Sequence, residues 1–388
     1  MRLWTVVGSV CAMVLLGFSP VGIAAEPVKI GIVSELSGTG ATAGIRWQRG
    51  VLMAIDDINA KGGMLGRPIE QFSLDTKTEP PVSVAAMMKA VEQKPFLVMG
   101  TVYSGSTIVN MKVLQQAGIP QITASAAPGI TEQGNLNIFR VELNSALEMK
   151  KTAKWLTEGL KTKKLAIIYT SDAMGKGLRD ALAELLKPQG VQIVAEIVSE
   201  IGQSDFTGEL ARVKQSGADT FFVYVHEEET GRLFRQAREM GLNKMMRFVG
   251  SSTLLTTDVL RLAGDAADGA LAHVGLTNTS PAIMPIAVAY EKKYQEEPDH
   301  NFMKGYVGLQ IANAVVEETK SFDQQKFRDY LHDRTLCVKS HPGILLDVYY
   351  DAMGNFDRDT FIITAKNGKQ VLQGTFPALD PGKLARCK

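Results

Sequence analysis

Short apolar runs alternate with amphipathic segments along most of the chain, and this alternation predicts the architecture. The first apolar run, Val28–Ser34, has the length of a strand, and apolar residues recur at helical spacing from Ala43 to Ala60. A second strand follows at Pro68–Asp75, after glycines that end the helix. A strand, a helix and a strand joined by short connections form a βαβ unit, which implies a parallel sheet.

Small residues follow three successive predicted strands of this first series. They form the loops Ser37–Gly40, Thr101–Thr107 and Ala124–Gly129. The carboxyl ends of parallel strands meet at one edge of an open sheet, which is where ligands bind. The backbone amides at the first helix N-terminus, beside Gly38 and Gly40, also form a potential anion site. The sequence therefore predicts a ligand site along this edge.

A second series of alternating strands and helices begins near Ser145 and ends near Val274, and helical segments then return from Pro281 to Arg334. We expect the chain to cross between two lobes near residues 141–145, 275–280 and 340–343, which would form a hinge. The predicted fold is α/β, with two doubly wound parallel-sheet lobes joined by a three-crossover hinge. The predicted boundaries are 1–25 for a signal peptide, 26–143 plus 277–340 for lobe 1, and 144–276 plus 341–388 for lobe 2.

The N-terminal segment differs in composition from the rest of the chain. Arg2 precedes an uncharged apolar run that reaches Phe18, and small residues continue to Ala25. This pattern is typical of a secretory signal peptide and predicts export to the periplasm. A retained membrane anchor is the alternative, although no further apolar stretch of about 18 residues follows.

Charge and composition narrow the class of partner. Of 388 residues, 45% are apolar and 21% are charged, as in soluble globular proteins. Without the predicted signal peptide the chain has 41 basic and 41 acidic residues and no basic tract, which argues against a nucleic-acid partner. Cys337 and Cys387 remain after that processing. They either pair, closing a loop of about 50 residues, or stay as free thiols.

The sequence lacks the common catalytic and metal-binding motifs, since it has no P-loop, H-E-x-x-H, G-x-S-x-G or C-x-x-C. Its five histidines are scattered, without the spacing of metal ligands. The segment Gly38–Ala43 matches G-x-G-x-x-A, but Asp75 lies too far along the chain for the ribose contact of a dinucleotide site. A small anion or bare turn glycines are the alternatives there. We therefore expect a binding protein without cofactor or metal, and not an enzyme.

Several side chains near the predicted edge are candidates for ligand contacts. Trp47 and Tyr103 either line a cleft or pack in the core, because aromatic rings suit both places. His226 ends a predicted strand and either faces the cleft or lies in a solvated loop. The hydroxyl groups of Ser104 and Ser125 can donate hydrogen bonds to a carboxylate.

Motifs spread along the chain, among them KIGIVSELSG, AIDDINAKGGMLGRPIE, GIPQITASAAP, DFTGELARVKQSGADTFFV and YDAMGNF, occur in an order that resembles a known family. They are similar to those of the type I periplasmic binding proteins, in particular the leucine/isoleucine/valine-binding class of ABC transporters. The resemblance covers nearly the whole chain after residue 25. It implies two lobes with three crossovers that close on a small-molecule carboxylate ligand. It also implies delivery of that ligand to an inner-membrane ABC permease, and we expect a monomer.

The resemblance implies that Ser104, Ser125 and the amide of Ala127 bind the ligand carboxylate. Four positions depart from the amino-acid-binding pattern, because relatives often carry aromatic or acidic residues there: Ala43, Met174, His226 and Ser252. One of residues 227–229, all glutamates, is an alternative partner for a ligand ammonium group. The predicted ligand-binding residues are therefore Gly40, Trp47, Tyr103, Ser104, Ser125, Ala126, Ala127, Met174, His226 and Ser252. The expected ligand is an amino acid or related small carboxylate; the alternatives are another organic acid, such as an aromatic one, or a ligand-sensing module of the same fold.

Overall fold

The structure is a computed structural model that describes Met1 and residues 26–387. The predicted signal peptide, residues 1–25, therefore lies outside the described residues apart from Met1. In the described part of the chain, no helix has both the length and the apolar character that crossing a membrane requires.

The first lobe is a parallel sheet with an apolar core on each face. Its strand order is β2-β1-β3-β4-β5, so the order reverses between β1 and β3. Ligands bind at such a reversal in open α/β sheets. The strands are β1 (Val28–Ser34), β2 (Ile69–Asp75), β3 (Leu97–Met99), β4 (Gln121–Thr123) and β5 (Ile138–Arg140), and the helices are α1 (Ala41–Ala60), α2 (Pro80–Glu92) and α3 (Ser104–Ala117).

The second lobe repeats this plan, because its five parallel strands have the order β7-β6-β8-β9-β10. The prediction of two doubly wound lobes is thus confirmed. The strands are β6 (Lys164–Thr170), β7 (Gln192–Ser199), β8 (Thr220–Tyr224), β9 (Arg247–Gly250) and β10 (Leu271–Val274). The helices are α4 (Ser145–Lys154), α5 (Ala173–Leu186), α6 (Thr207–Gln215), α7 (Glu227–Glu239) and α8 (Thr257–Ala263).

After β10 the chain returns to the first lobe. The return comprises α9 (Met284–Tyr294), α10 (His300–Thr319), α11 (Gln324–Leu331) and a small antiparallel sheet of β11 (Arg334–Leu336), β12 (Val348–Tyr350) and β13 (Phe356–Asp357). The antiparallel strands β14 (Thr360–Lys366) and β15 (Lys369–Phe376) then extend the second sheet beside β10, and α12 (Pro381–Leu384) follows them.

The close contact between α1 and α10 fixes where the site lies. Trp47 is fully buried in it. A Cβ on Gly50 would lie 2.0 Å from the carbonyl oxygen of Phe302, and one on Gly305 would lie 2.2 Å from that of Trp47. Glycine on both helices therefore permits their close approach, which holds the N-terminus of α10 beside the cleft between the lobes.

The third crossing lies later in the chain than predicted. Ile344, Val348, Tyr350 and Phe356 belong to the core of the first lobe. The chain therefore crosses between β13 and β14, and not near residues 340–343 as the predicted start of lobe 2 at 341 required. The hydrophobic pattern did not reveal the position of this crossing, because β11 and β13 have three and two residues, too few for an alternation to be recognised.

The C-terminal segment also returns to the first lobe. Cys387 and Cys337 form a disulfide with their Cα atoms 5.2 Å apart, which decides between the two alternatives for these cysteines. Thr335 Oγ1 donates a hydrogen bond to the carbonyl of Lys383 at 2.8 Å. The chain thus passes between the lobes a fourth time, near residues 377–380, which the sequence did not predict.

Candidate functional site

The carboxyl ends of both parallel sheets face a common cavity of about 40 Å³. Eleven of its sixteen lining residues have polar or ionisable side chains. The lining residues are Ala43, Val102, Tyr103, Ser104, Ala124, Ala126, Glu142, Met174, Tyr224, His226, Glu227, Ser252, Thr253, His300, Asn301 and Lys304. Six predicted site residues are therefore brought together here: Tyr103, Ser104, Ala126, Met174, His226 and Ser252.

Ser104 lies where a ligand carboxylate can meet hydrogen-bond donors. It is the first residue of α3, whose free N–H groups and positive end of the helix dipole favour an anion. Ser104 Oγ accepts a hydrogen bond from the backbone N–H of Ala127 at 3.1 Å, and its own hydroxyl proton is available to a ligand. Ala127 itself is buried and does not line the cavity, so in this structure its amide acts through Ser104.

Ser125 does not line the cavity, but its hydrogen bonds stabilise the loops that form it. The residue is 1% exposed, and its hydroxyl lies 2.9 Å from the carbonyl of Val102 and 2.6 Å from the hydroxyl of Thr107. These contacts tie the loop after β4 to the loop after β3. Ser125 was predicted to contact the ligand directly, but in the structure its hydroxyl forms hydrogen bonds within the protein instead.

Arg140 holds the same loop from the end of β5. Its guanidinium donates to the carbonyls of Ser125 at 2.5 Å and Ala127 at 2.6 Å. Burial lowers the pKa of Arg140 to about 9. No sequence pattern indicated this role, because an arginine that ends a short strand is more commonly exposed.

Glu35 is a second buried group that the sequence reasoning missed. It follows β1, is fully buried, and accepts hydrogen bonds from the backbone N–H groups of Val102 at 3.1 Å and Tyr103 at 3.2 Å. Burial raises the pKa of Glu35 to about 7, although these hydrogen bonds act in the opposite direction. The carboxyl group thus fixes the loop that carries Tyr103 into the cavity.

Tyr103 and His226 join the two lobes across the cleft. Their rings stack with centroids 4.5 Å apart and planes inclined by 20°. A Cβ on Gly40 would lie 2.6 Å from the Tyr103 ring, so this glycine leaves room for the ring without lining the cavity. Burial disfavours the imidazolium form of His226, but Asp172, 3.1 Å away, raises the pKa of His226 to about 9. His226 is therefore a buried cation and not a solvated loop residue.

Trp47 does not line the cavity. It packs in the core of the first lobe, on the face of α1 that meets α10. The structure favours the core alternative over the expected contact with a ligand, because Trp47 is fully buried where α1 packs against α10.

The N-terminus of α10 contributes three lining residues that the sequence reasoning missed: His300, Asn301 and Lys304. Lys304 Nζ contacts Glu142 at 2.6 Å, within the first crossing. Burial and the nearby cations Lys304 and Arg46 hold the pKa of His300 well below its usual range, so His300 is neutral. The sequence indicated only that helical segments from Pro281 to Arg334 follow the second series of strands.

Contacts near the N-terminus of α1 also close the cleft between the lobes. Arg46 is 6% exposed, and its guanidinium contacts Asp258 at 2.9 Å and the hydroxyl of Thr257 at 3.3 Å on α8 of the other lobe. The structure is therefore a closed arrangement, in which both lobes touch around the cavity.

Known proteins resemble this chain in sequence over most of its length. A family model described as periplasmic binding protein matches residues 27–369. An amino acid binding protein of Pseudomonas aeruginosa is 31% identical over 81% of this chain and 83% of its own length. The Leu/Ile/Val-binding protein of Escherichia coli is 29% identical over 82% and 86%.

Solved structures show the same fold. A branched-chain amino acid transporter substrate-binding protein from Streptococcus pneumoniae, in complex with isoleucine, superposes with a TM-score of 0.79 at 25% identity, covering 91% of this chain and 99% of that one. An ABC transporter solute-binding protein from R. palustris, in complex with benzoate, gives a TM-score of 0.80 at 20% identity, with 91% and 97% covered.

Proposed function

The chain belongs to the periplasmic binding protein family, and from this premise we propose that it captures an amino acid or related small carboxylate between its two lobes. As the substrate-binding component of an ABC transporter, it delivers the ligand to a permease in the inner membrane. We further propose that it works as a monomer in the periplasm after removal of residues 1–25. Its relatives are substrate-binding proteins of transporters and not enzymes.

The observation that carries this proposal is the cavity itself. It lies at the strand-order reversal of both sheets and presents Ser104 and the N-terminus of α3 to any anion inside it. A carboxylate bound there replaces its water shell with charge-assisted hydrogen bonds. A dissociation constant of 1 μM corresponds to about −8 kcal/mol, which a few such bonds supply together with buried contacts.

Closure couples to binding because the lining residues come from both lobes. Tyr103 and Ser104 belong to the first lobe, whereas His226 and Ser252 belong to the second. A ligand that touches both sets binds the closed state more tightly than the open one. It therefore shifts the hinge equilibrium, which a ligand bound equally by both states cannot do.

One observation favours a non-amino-acid organic acid as the second candidate. Tyr103 and His226 present parallel ring faces from opposite lobes. A planar aromatic acid can enter between two such faces when the hinge opens, with its carboxylate at Ser104.

Calorimetric titration with the common L-amino acids and with benzoate-type acids tests both candidates. We expect micromolar binding of at least one compound, and about tenfold weaker binding of it by Ser104→Ala, which removes one charge-assisted hydrogen bond. Ser204→Ala, on the surface of the second lobe, serves as the control and should bind like the wild type. The absence of binding to every compound, or equal affinities of wild type and Ser104→Ala, would contradict the proposal.

A further inference from the structure

We propose that the ligand carries a second polar group besides its carboxylate, on a side chain or a ring, and that the hydroxyls of Tyr103 and Thr253 recognise this group. This inference rests on the proposed function and names the substrate class of that site, which is a polar acid in preference to an aliphatic one. Both residues line the cavity, Tyr103 from the first lobe and Thr253 from the loop after β9 in the second.

The two hydroxyls are buried and have no hydrogen-bond partner among the described residues. Tyr103 is 6% exposed and Thr253 is 7% exposed. Most buried polar groups in proteins are hydrogen-bonded, because one without a partner costs the free energy of its desolvation. Since both residues face the same enclosed space, a polar group on the bound ligand can serve both hydroxyls.

The surroundings of Tyr103 hold its hydroxyl in place. Its ring stacks on His226 with centroids 4.5 Å apart, and its backbone N–H donates a hydrogen bond to Glu35 at 3.2 Å. Burial, together with the charge of Glu228, holds the pKa of Tyr103 well above its usual range, so the hydroxyl keeps its proton. It is therefore a donor in a fixed position, and it needs an acceptor such as an oxygen atom of the ligand.

The apolar part of the cavity wall offers little to an aliphatic side chain. The apolar lining residues are three alanines, at positions 43, 124 and 126, with Val102 and Met174. An aliphatic group gains affinity from the apolar surface that it buries, and here it would also leave both hydroxyls unpaired. A site that hydrogen-bonds one group of its ligand discriminates strongly against an analogue without that group.

The alternative is that solvent satisfies both hydroxyls and that the ligand touches neither. Tyr103→Phe and Thr253→Val separate the two cases, because each removes a hydroxyl and nearly keeps the size of the side chain. Tyr103→Phe also keeps the ring that stacks on His226. Tyr330→Phe, on α11 and away from the cavity, is the matched control.

The experiment is calorimetric titration with pairs of compounds of nearly equal shape that differ in one polar group. The pairs are L-threonine with L-valine, L-asparagine with L-leucine, and 4-hydroxybenzoate with benzoate. We expect the wild type to prefer the polar member of at least one pair about 100-fold, since each unpaired hydroxyl costs about tenfold in affinity. Each single variant should reduce this preference about tenfold, the double variant should abolish it, and Tyr330→Phe should keep it.

The outcomes separate this inference from the proposed function. The ratio of two affinities in one variant does not depend on how much of that variant is folded. If the wild type binds the less polar member of every pair as tightly as its polar counterpart, the inference is overturned and the transport function stands. A preference that survives the double variant overturns the role of the two hydroxyls. A wild-type protein that binds none of these compounds and no other common L-amino acid overturns both.

Discussion

Replacing Glu35 with glutamine should change the stability of the protein relative to wild type in favour of the variant as the pH rises from acidic to alkaline. Glu35 is fully buried beneath the loop after β3, and its carboxylate oxygens Oε2 and Oε1 accept hydrogen bonds from the backbone N–H groups of Val102 and Tyr103. The two N–H groups donate to different carboxylate oxygens, so glutamine, which has one side-chain oxygen, accepts only one of these hydrogen bonds. That loss does not depend on pH, so the change with pH in the difference between Glu35→Gln and wild type isolates the effect of the buried charge.

The magnitude follows from the pKa of Glu35, which burial raises from 4.5 to about 7. Between these values the folded protein keeps a proton that the unfolded chain has released, so the free energy of unfolding falls as pH rises. The favourable contribution is fully present below pH 4.5 and is lost as pH rises through about 7. At pH 8 the loss is about 3 kcal/mol, because one pKa unit corresponds to about 1.4 kcal/mol.

Urea denaturation of wild type and Glu35→Gln at pH 4.5 and pH 8 measures this difference. We expect the difference between the unfolding free energies of variant and wild type to move by about 3 kcal/mol in favour of the variant from the lower to the higher pH. Other titrating groups cancel in the comparison, and Glu239→Gln controls for the loss of a surface charge. If the difference between the two unfolding free energies did not change with pH, burial would not hold Glu35 in its uncharged form, and the reasoning would be refuted.

Three further predictions follow from single contacts. Changing Cys337 and Cys387 together to serine should lower the unfolding free energy by about 4 kcal/mol in calorimetry, because the bond joins residues separated by 50 positions, and reductant should then affect only the wild type. Ser125→Ala should lower stability by about 1–3 kcal/mol in urea denaturation but hardly change ligand affinity, because its hydroxyl is buried outside the cavity. Gly40→Ala should weaken ligand binding about tenfold in calorimetry, since its Cβ would lie 2.6 Å from the Tyr103 ring; unchanged binding would show that this ring can move freely.

The central strands of the sheets could be predicted from the sequence because they are buried on both faces. The predicted span Val28–Ser34 agrees with β1 residue for residue, since a continuous apolar run bounded by turn residues leaves little choice. The short antiparallel strands β11 to β13 gave no such run. They have only two or three residues each, too few for an alternation to be recognised, and the third crossing was misplaced for that reason.

The site was only partly predictable because its chemistry depends on partners far apart in sequence. Ser104 was recognisable from its place in the loop after a predicted strand, although α3 begins at Ser104 and thus inside the predicted loop Thr101–Thr107. The charge of His226 could not be inferred, because it depends on Asp172, 54 positions earlier. The pairing of Glu142 with Lys304 depends on how α10 packs on α1, which no local pattern shows. Loops that follow strands indicate where a ligand binds, whereas tertiary contacts decide which groups remain free to bind it.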